Sequence, residues 1–82
     1  MSEAGAITVR YWAAARAATG VDAEQVTGTT VGGVVDAAVA RHPELSRVVR
    51  VATLLLDGRA VGREAPVMVG ATLEVLPPFA GG

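Results

Sequence analysis

The sequence predicts an α+β domain, with one mixed sheet of about four to five strands and helices on one of its faces. Three observations lead there. Residues 7–12 alternate apolar and polar side chains until the last position, Trp12, the two-residue period of a half-buried strand. Val31, Val34, Val35, Ala38 and Val39 recur at helical spacing as one apolar stripe. Two further strand-like runs, 52–56 and 72–76, fill the C-terminal half, and the first ends at Asp57-Gly58, a hairpin-turn dipeptide. Helices segregated to one face of a sheet define the class.

In the opening strand, Ile7, Val9 and Tyr11 share one face, and Thr8, Arg10 and Trp12 share the other. Residues 13–19 are alanine except for Arg16 and Thr19, a strongly helix-forming composition. Gly20 stands where a helix's closing glycine belongs. Residues 24–27 read as a short strand with Val26 inward, and Gly28-Thr29-Thr30 as a turn. Thr30 is the predicted N-cap of the second helix. Arg41 and His42 fall in its last turn, where positive charge suits the dipole, and Pro43 stops it. Residues 44–50 add a helical turn. Residues 52–56 form a buried strand, 59–61 return from the turn, 66–70 are turn-rich, and 72–76 form the last strand. The order reads β, α, β, α, β, β, β, with the opening either ββ or βαβ.

Composition narrows the function. Eighty-two residues make a single domain, 1–82, with little room for a cleft that encloses a substrate. An independent enzyme is not expected. With no cysteine, thiolate catalysis, disulfides and Cys-based zinc sites are excluded, so any sulfur must come from another protein. A net charge of −1 with mixed signs leaves no basic footprint for nucleic acid. All seven cations are arginine, so the chain offers no lysine amine for isopeptide attachment; a GC-rich genome produces the same bias. No apolar run approaches the ~20 residues of a membrane span, and the N-terminus lacks the pattern of a secretory signal. The expectation is a soluble cytoplasmic protein that binds no nucleic acid and no membrane.

The last residues are Leu76-Pro77-Pro78-Phe79-Ala80-Gly81-Gly82. Glycine has no Cβ, so a terminal pair can enter a channel too narrow for other residues. Residues 77–82 are expected to be a flexible tail, whose approach Pro77 and Pro78 hold extended, because proline fixes φ near −65° and restricts the residue before it. By itself the pattern is also that of a strand terminator followed by a frayed end.

Taken with the upstream elements, these residues resemble the MoaD/ThiS-type ubiquitin-like sulfur carriers, and most closely the small subunit of molybdopterin synthase. The resemblance runs from Ile7 to Gly82. It is carried by Val9-Arg10-Tyr11-Trp12-Ala13, Arg16, Gly20, Gly70 and the 73–82 segment with its Pro-Pro pair and terminal Gly-Gly. It implies a β-grasp fold and a carrier whose Gly82 carboxylate is adenylated on an E1-like enzyme and converted to a thiocarboxylate. That sulfur is then donated to cyclic pyranopterin monophosphate. ATP and the sulfur donor act through the activating enzyme, and this chain binds no cofactor or metal. The implied partners are the E1-like enzyme and the synthase large subunit, which holds the pocket in a heterotetramer. Val69-Gly70-Ala71-Thr72 and Asp57 depart from the family, where acidic residues flank the glycine and asparagine is common. Other readings are a carrier for thiamine or cysteine biosynthesis, a modifier conjugated through Gly82, and a β-grasp interaction module with an inert tail.

The expected reactive end is Gly82, with Gly81 beside it. The expected partner surface is Trp12, Leu76, Pro77, Pro78, Phe79 and Ala80, joined by Leu55, because an exposed apolar patch holding tryptophan marks an interface. Trp12 buried under the first helix is the alternative. Arg10, Arg59 and Arg63 are either solvated or paired with acidic partner groups. His42 is expected to cap its helix or face solvent. Gly32-Gly33 fits no nucleotide-binding motif.

Overall fold

A computed structural model describes residues 5–78. Eight elements run in the order β1 (Gly5–Tyr11), α1 (Ala13–Thr19), β2 (Ala23–Gly28), α2 (Val31–Arg41), α3 (Leu45–Val49), β3 (Thr53–Leu56), β4 (Arg59–Ala60) and β5 (Thr72–Leu76). The five strands form one sheet in the order β2-β1-β5-β3-β4. At its centre β1 and β5 pair in parallel, with Arg10 opposite Glu74 and Tyr11 opposite Val75. The β1–β2, β5–β3 and β3–β4 pairs are antiparallel. The mixed sheet is therefore as expected, and the opening is βαβ.

The alternation predicted for β1 holds: Ile7, Val9 and Tyr11 are buried, and meet Val26 of β2 and Leu73 and Val75 of β5 beneath the helices. The α2 stripe supplies Val31, Val34, Val35 and Ala38, while α1 and α3 add Ala15 and Leu45. Each large apolar side chain buried here stabilises the fold by about 1.5–3 kcal/mol. Thr30 caps α2, its hydroxyl accepting from the Gly33 amide at 3.1 Å. Gly20 closes α1 at φ 78°, donating its amide to the Arg16 carbonyl at 2.8 Å.

The Asp57-Gly58 turn has both central residues at positive φ, 48° and 87°, matching the right-handed twist of the β3–β4 hairpin. Asp57 also ties the hairpin to β5: its Oδ1 accepts from the Thr72 amide at 3.0 Å, and its amide donates to the Thr72 carbonyl at 2.9 Å. Asparagine offers the same oxygen and tolerates the same backbone, so the departure at 57 leaves this corner intact. The expectation that 52–56 is a buried strand needs correction. Ala52 lies outside it, Thr53 is exposed and the three leucines are half-buried, because only two residues of β4 flank that edge.

Candidate functional site

The three helices leave the other face of the sheet uncovered, and the alternation that buries Leu73 and Val75 turns Glu74 and Leu76 onto it. Register places Arg10 of β1 and Leu55 of β3 on either side of Glu74. Trp12 follows β1 with extended backbone, as the N-cap of α1. Trp12 is 39% exposed, which excludes the reading of it as core.

Trp12 is nevertheless held firmly. Its amide donates to the Val75 carbonyl at 3.3 Å, and its Nε1 donates to Glu74 Oε2 at 3.2 Å. The Arg10 guanidinium lies 5.3 Å from the ring centroid on the same face. Arg10 and Glu74 thus present the indole in a fixed orientation. Next to it Ala13 sits at φ 49°, a left-handed conformation that costs an alanine about 1–2 kcal/mol. This strained corner lies where β1 hands over to α1, beside the end of β5.

Because β1 and β5 are parallel, the chain leaves β5 at the end of the sheet where Trp12 stands. Leu76 and Pro77 are half-buried there and Pro78 is exposed. Phe79, Ala80, Gly81 and Gly82 lie outside the described residues. The structure therefore brings Trp12, Leu55, Leu76, Pro77 and Pro78 to one face and end, and adds Arg10 and Glu74. Glu74 was not singled out in the sequence; its inward-outward-inward position between Leu73 and Val75 is the signal that could have found it.

The other arginines separate. Arg63 is bound to Asp36 of α2 at 2.9 Å, so it belongs to the helical layer and not to the tail. Arg59 starts β4, two strands away from β5. A shallow hollow of about 430 Å³ over α1, lined by Ala13, Arg16, Ala17 and Gly20, lies open, and Arg16 is paired with Asp22 at 3.0 Å.

A polar cluster not anticipated from the sequence closes the opposite edge. Glu24 of β2 accepts from the Tyr11 hydroxyl at 2.5 Å and from Arg41 Nη1 at 3.1 Å, and His42 Nε2 lies 2.9 Å from its Oε2. His42 caps α2 with its backbone, but its ring is turned to this carboxylate and not to solvent, edge-on to Tyr11. Burial pushes the Glu24 carboxyl up, yet hydrogen bonds from Tyr11, His42 and Arg41 outweigh it and hold the group below its ordinary value. Burial first, and then the bond and charge of Glu24, push the Tyr11 phenol well above its ordinary value. The cluster fastens α2 to the sheet on the side away from β5.

A mixed five-stranded sheet with this order and helices on one face is the ubiquitin-like β-grasp fold, the architecture of the ubiquitin-like sulfur carriers and modifiers. The ThiS family model matches residues 9–82, and the chain belongs to that family. Among solved structures it resembles SAMP1 of Haloferax volcanii, with TM-score 0.87 and 28% identity over 95% of this chain and 100% of that one. A chain of the BexX/CysO complex of Amycolatopsis orientalis matches with TM-score 0.81 and 31% identity, covering 93% and 99%. A chain of the complex of subunits 1 and 2 of the molybdopterin-converting factor of Helicobacter pylori shares the fold, with TM-score 0.70 and 17% identity over 94% and 99%. No curated protein sequence matches. Among the described residues, no helix is long and apolar enough to cross a membrane.

Proposed function

We propose that this chain is the small subunit of a molybdopterin synthase, a sulfur carrier that acts through the Gly82 carboxylate. An oxygen of that carboxylate attacks the α-phosphate of ATP on an E1-like enzyme, pyrophosphate leaves, and an acyl-adenylate forms. Hydrosulfide released by a donor protein attacks the acyl carbon, AMP leaves with its bridging oxygen, and the resulting thiocarboxylate delivers sulfur to cyclic pyranopterin monophosphate in the large subunit. This chain contributes delivery, and the pocket belongs to its partner.

The observation that carries the reading is the position of β5. It is the middle strand, hydrogen-bonded on both sides, and it runs straight into Pro77-Pro78 beside an exposed tryptophan whose indole N–H donates to Glu74. A tail launched from the most constrained strand, through two residues of fixed φ, loses less entropy when threaded into a partner. The family membership supports the chemistry, and the likeness to a chain of the BexX/CysO complex supports action with a partner protein. The Pro-Pro pair before the glycines favours molybdopterin as the end product.

The likeness to SAMP1, a small archaeal modifier protein, favours a second reading: attachment through Gly82 to amines of target proteins. Intact-mass analysis after incubation with the E1-like enzyme, ATP and a sulfur donor separates the two. Replacement of one oxygen by sulfur marks the carrier, and a ladder of isopeptide conjugates marks the modifier. An unchanged terminus removes both readings. Conversion of cyclic pyranopterin monophosphate by the thiocarboxylate with the large subunit tests the acceptor.

A further inference from the structure

We propose that Arg41 guards the free edge of the sheet, and that without it β2 pairs with β2 of a second copy of this chain. This inference is independent of the chemistry at Gly82. Among the described residues, β2 is an outer strand bonded to β1 alone. The Tyr11 amide donates to the Asp22 carbonyl at 2.8 Å, so 11 and 22 are a hydrogen-bonded pair at the start of that ladder. Such pairs alternate along antiparallel strands, so residues 24, 26 and 28 also turn their backbone groups to β1. The N–H and C=O groups of Ala23, Gln25 and Thr27 therefore point outward. A row of that kind is a template for another strand.

The row is self-complementary. An antiparallel second copy, related by a twofold axis at Gln25, sets Ala23 against Thr27 and Gln25 against its own counterpart. Every one of these pairs has its backbone groups aimed across the gap and can exchange two N–H···O=C bonds. Glu24 then stands opposite Val26, so no charged residue of the strand faces its like. One side chain stands in the way. Arg41 ends α2, and its Nη1 donates to the Gln25 carbonyl at 3.1 Å. The same nitrogen donates to Glu24 Oε1 at 3.1 Å, which anchors it there. The guanidinium thus occupies the acceptor that lies on the axis, and two copies approaching along this edge bring two permanent cations together. Pairing requires Arg41 to leave, and Glu24 then loses one of its donors. Arg41 in this way holds the chain as a monomer.

The test is sedimentation velocity on the full chain, with amide hydrogen exchange followed by NMR. Wild type is expected to stay monomeric to about 1 mM, and Arg41→Met to dimerise with a Kd at least tenfold below that. Methionine keeps an apolar stem and removes every donor; Arg41→Gln takes its place if thermal melting shows the methionine variant unfolded. In the dimer, exchange at Ala23, Gln25 and Thr27 should slow at least tenfold relative to the dilute monomer. Adding Thr27→Pro, tolerated on an edge where the N–H points outward, should abolish dimerisation. Glu24→Gln loosens α2 but leaves Arg41 its bond to Gln25, so it should remain monomeric and controls for destabilisation alone. The proposal falls if the folded Arg41 variant is still a monomer at the highest concentration, or if wild type itself pairs through this edge. It falls equally if the variant associates without protecting those three amides, or still associates with Thr27→Pro in place.

Discussion

Trp12 donates its indole N–H to Glu74 across 62 positions of sequence, at 3.2 Å, and so joins the end of the first strand to the last. The contact exists because β1 and β5 lie side by side in parallel, which brings Arg10, Trp12 and Glu74 onto the uncovered face next to Pro77 and Pro78. An exposed tryptophan held by a carboxylate and a guanidinium keeps little side-chain entropy to lose on docking, the property expected of an interface anchor.

Truncation of that anchor is expected to weaken partner binding without unfolding the domain. Trp12→Ala should lower affinity for the E1-like enzyme and for the large subunit at least tenfold by calorimetry, while leaving the thermal midpoint within a few degrees. Affinity within twofold of wild type for both partners would remove Trp12 from the docking surface.

Gly82→Ala should fold normally, because the buried core runs from Ile7 to Val75, and should lose thiocarboxylate formation because a methyl group now stands beside the reacting carbon. Mass spectrometry after incubation with activating enzyme, ATP and sulfur donor reads this directly. Sulfur incorporation at the wild-type rate would show that the channel does not select for glycine.

Acid should unfasten α2 from the sheet. The Glu24 pKa is depressed in the fold, so its contribution is complete above the unfolded value of about 4.3 and is lost as pH falls toward the lower folded value. Glu24→Gln should cost about 2 kcal/mol at pH 7, the scale of hydrogen bonds to a charged group, and the deficit should shrink below pH ~4. Urea titrations across this range measure it; a deficit independent of pH contradicts the assignment.

At alkaline pH the sign reverses. The Tyr11 pKa is raised, so its stabilisation is complete below the unfolded value of about 10 and declines as pH rises through it, because the unfolded phenol ionises first. Tyr11→Phe should cost about 1–2 kcal/mol at pH 7 and progressively less above pH ~10. A constant difference between pH 8 and 11 would place the Tyr11 hydroxyl outside the Glu24 cluster.

Much of this molecule was legible residue by residue. The alternation of Ile7, Val9 and Tyr11, the valine stripe of α2, Thr30 as a cap, Gly20 as a stop and Asp57-Gly58 as a turn are each dictated by side chains within a few positions of one another. Steric preference, capping and amphipathic period act over that range, and the reading of those elements needed nothing more. The Pro-Pro and Gly-Gly steps of the tail belong to the same category, since their stiffness and narrowness are properties of the residues themselves.

Tertiary structure alone decided which strands became neighbours, and with that every polar contact that matters to the site. Nothing near Glu74 in sequence announces Arg10 or Trp12, and nothing near Glu24 announces Tyr11, Arg41 and His42. Arg63 reads as a candidate for the tail region until packing hands it to Asp36. The physical reason is that strand order follows from burying both apolar strand faces and the α2 stripe in one core, a condition on the whole chain that no local window expresses.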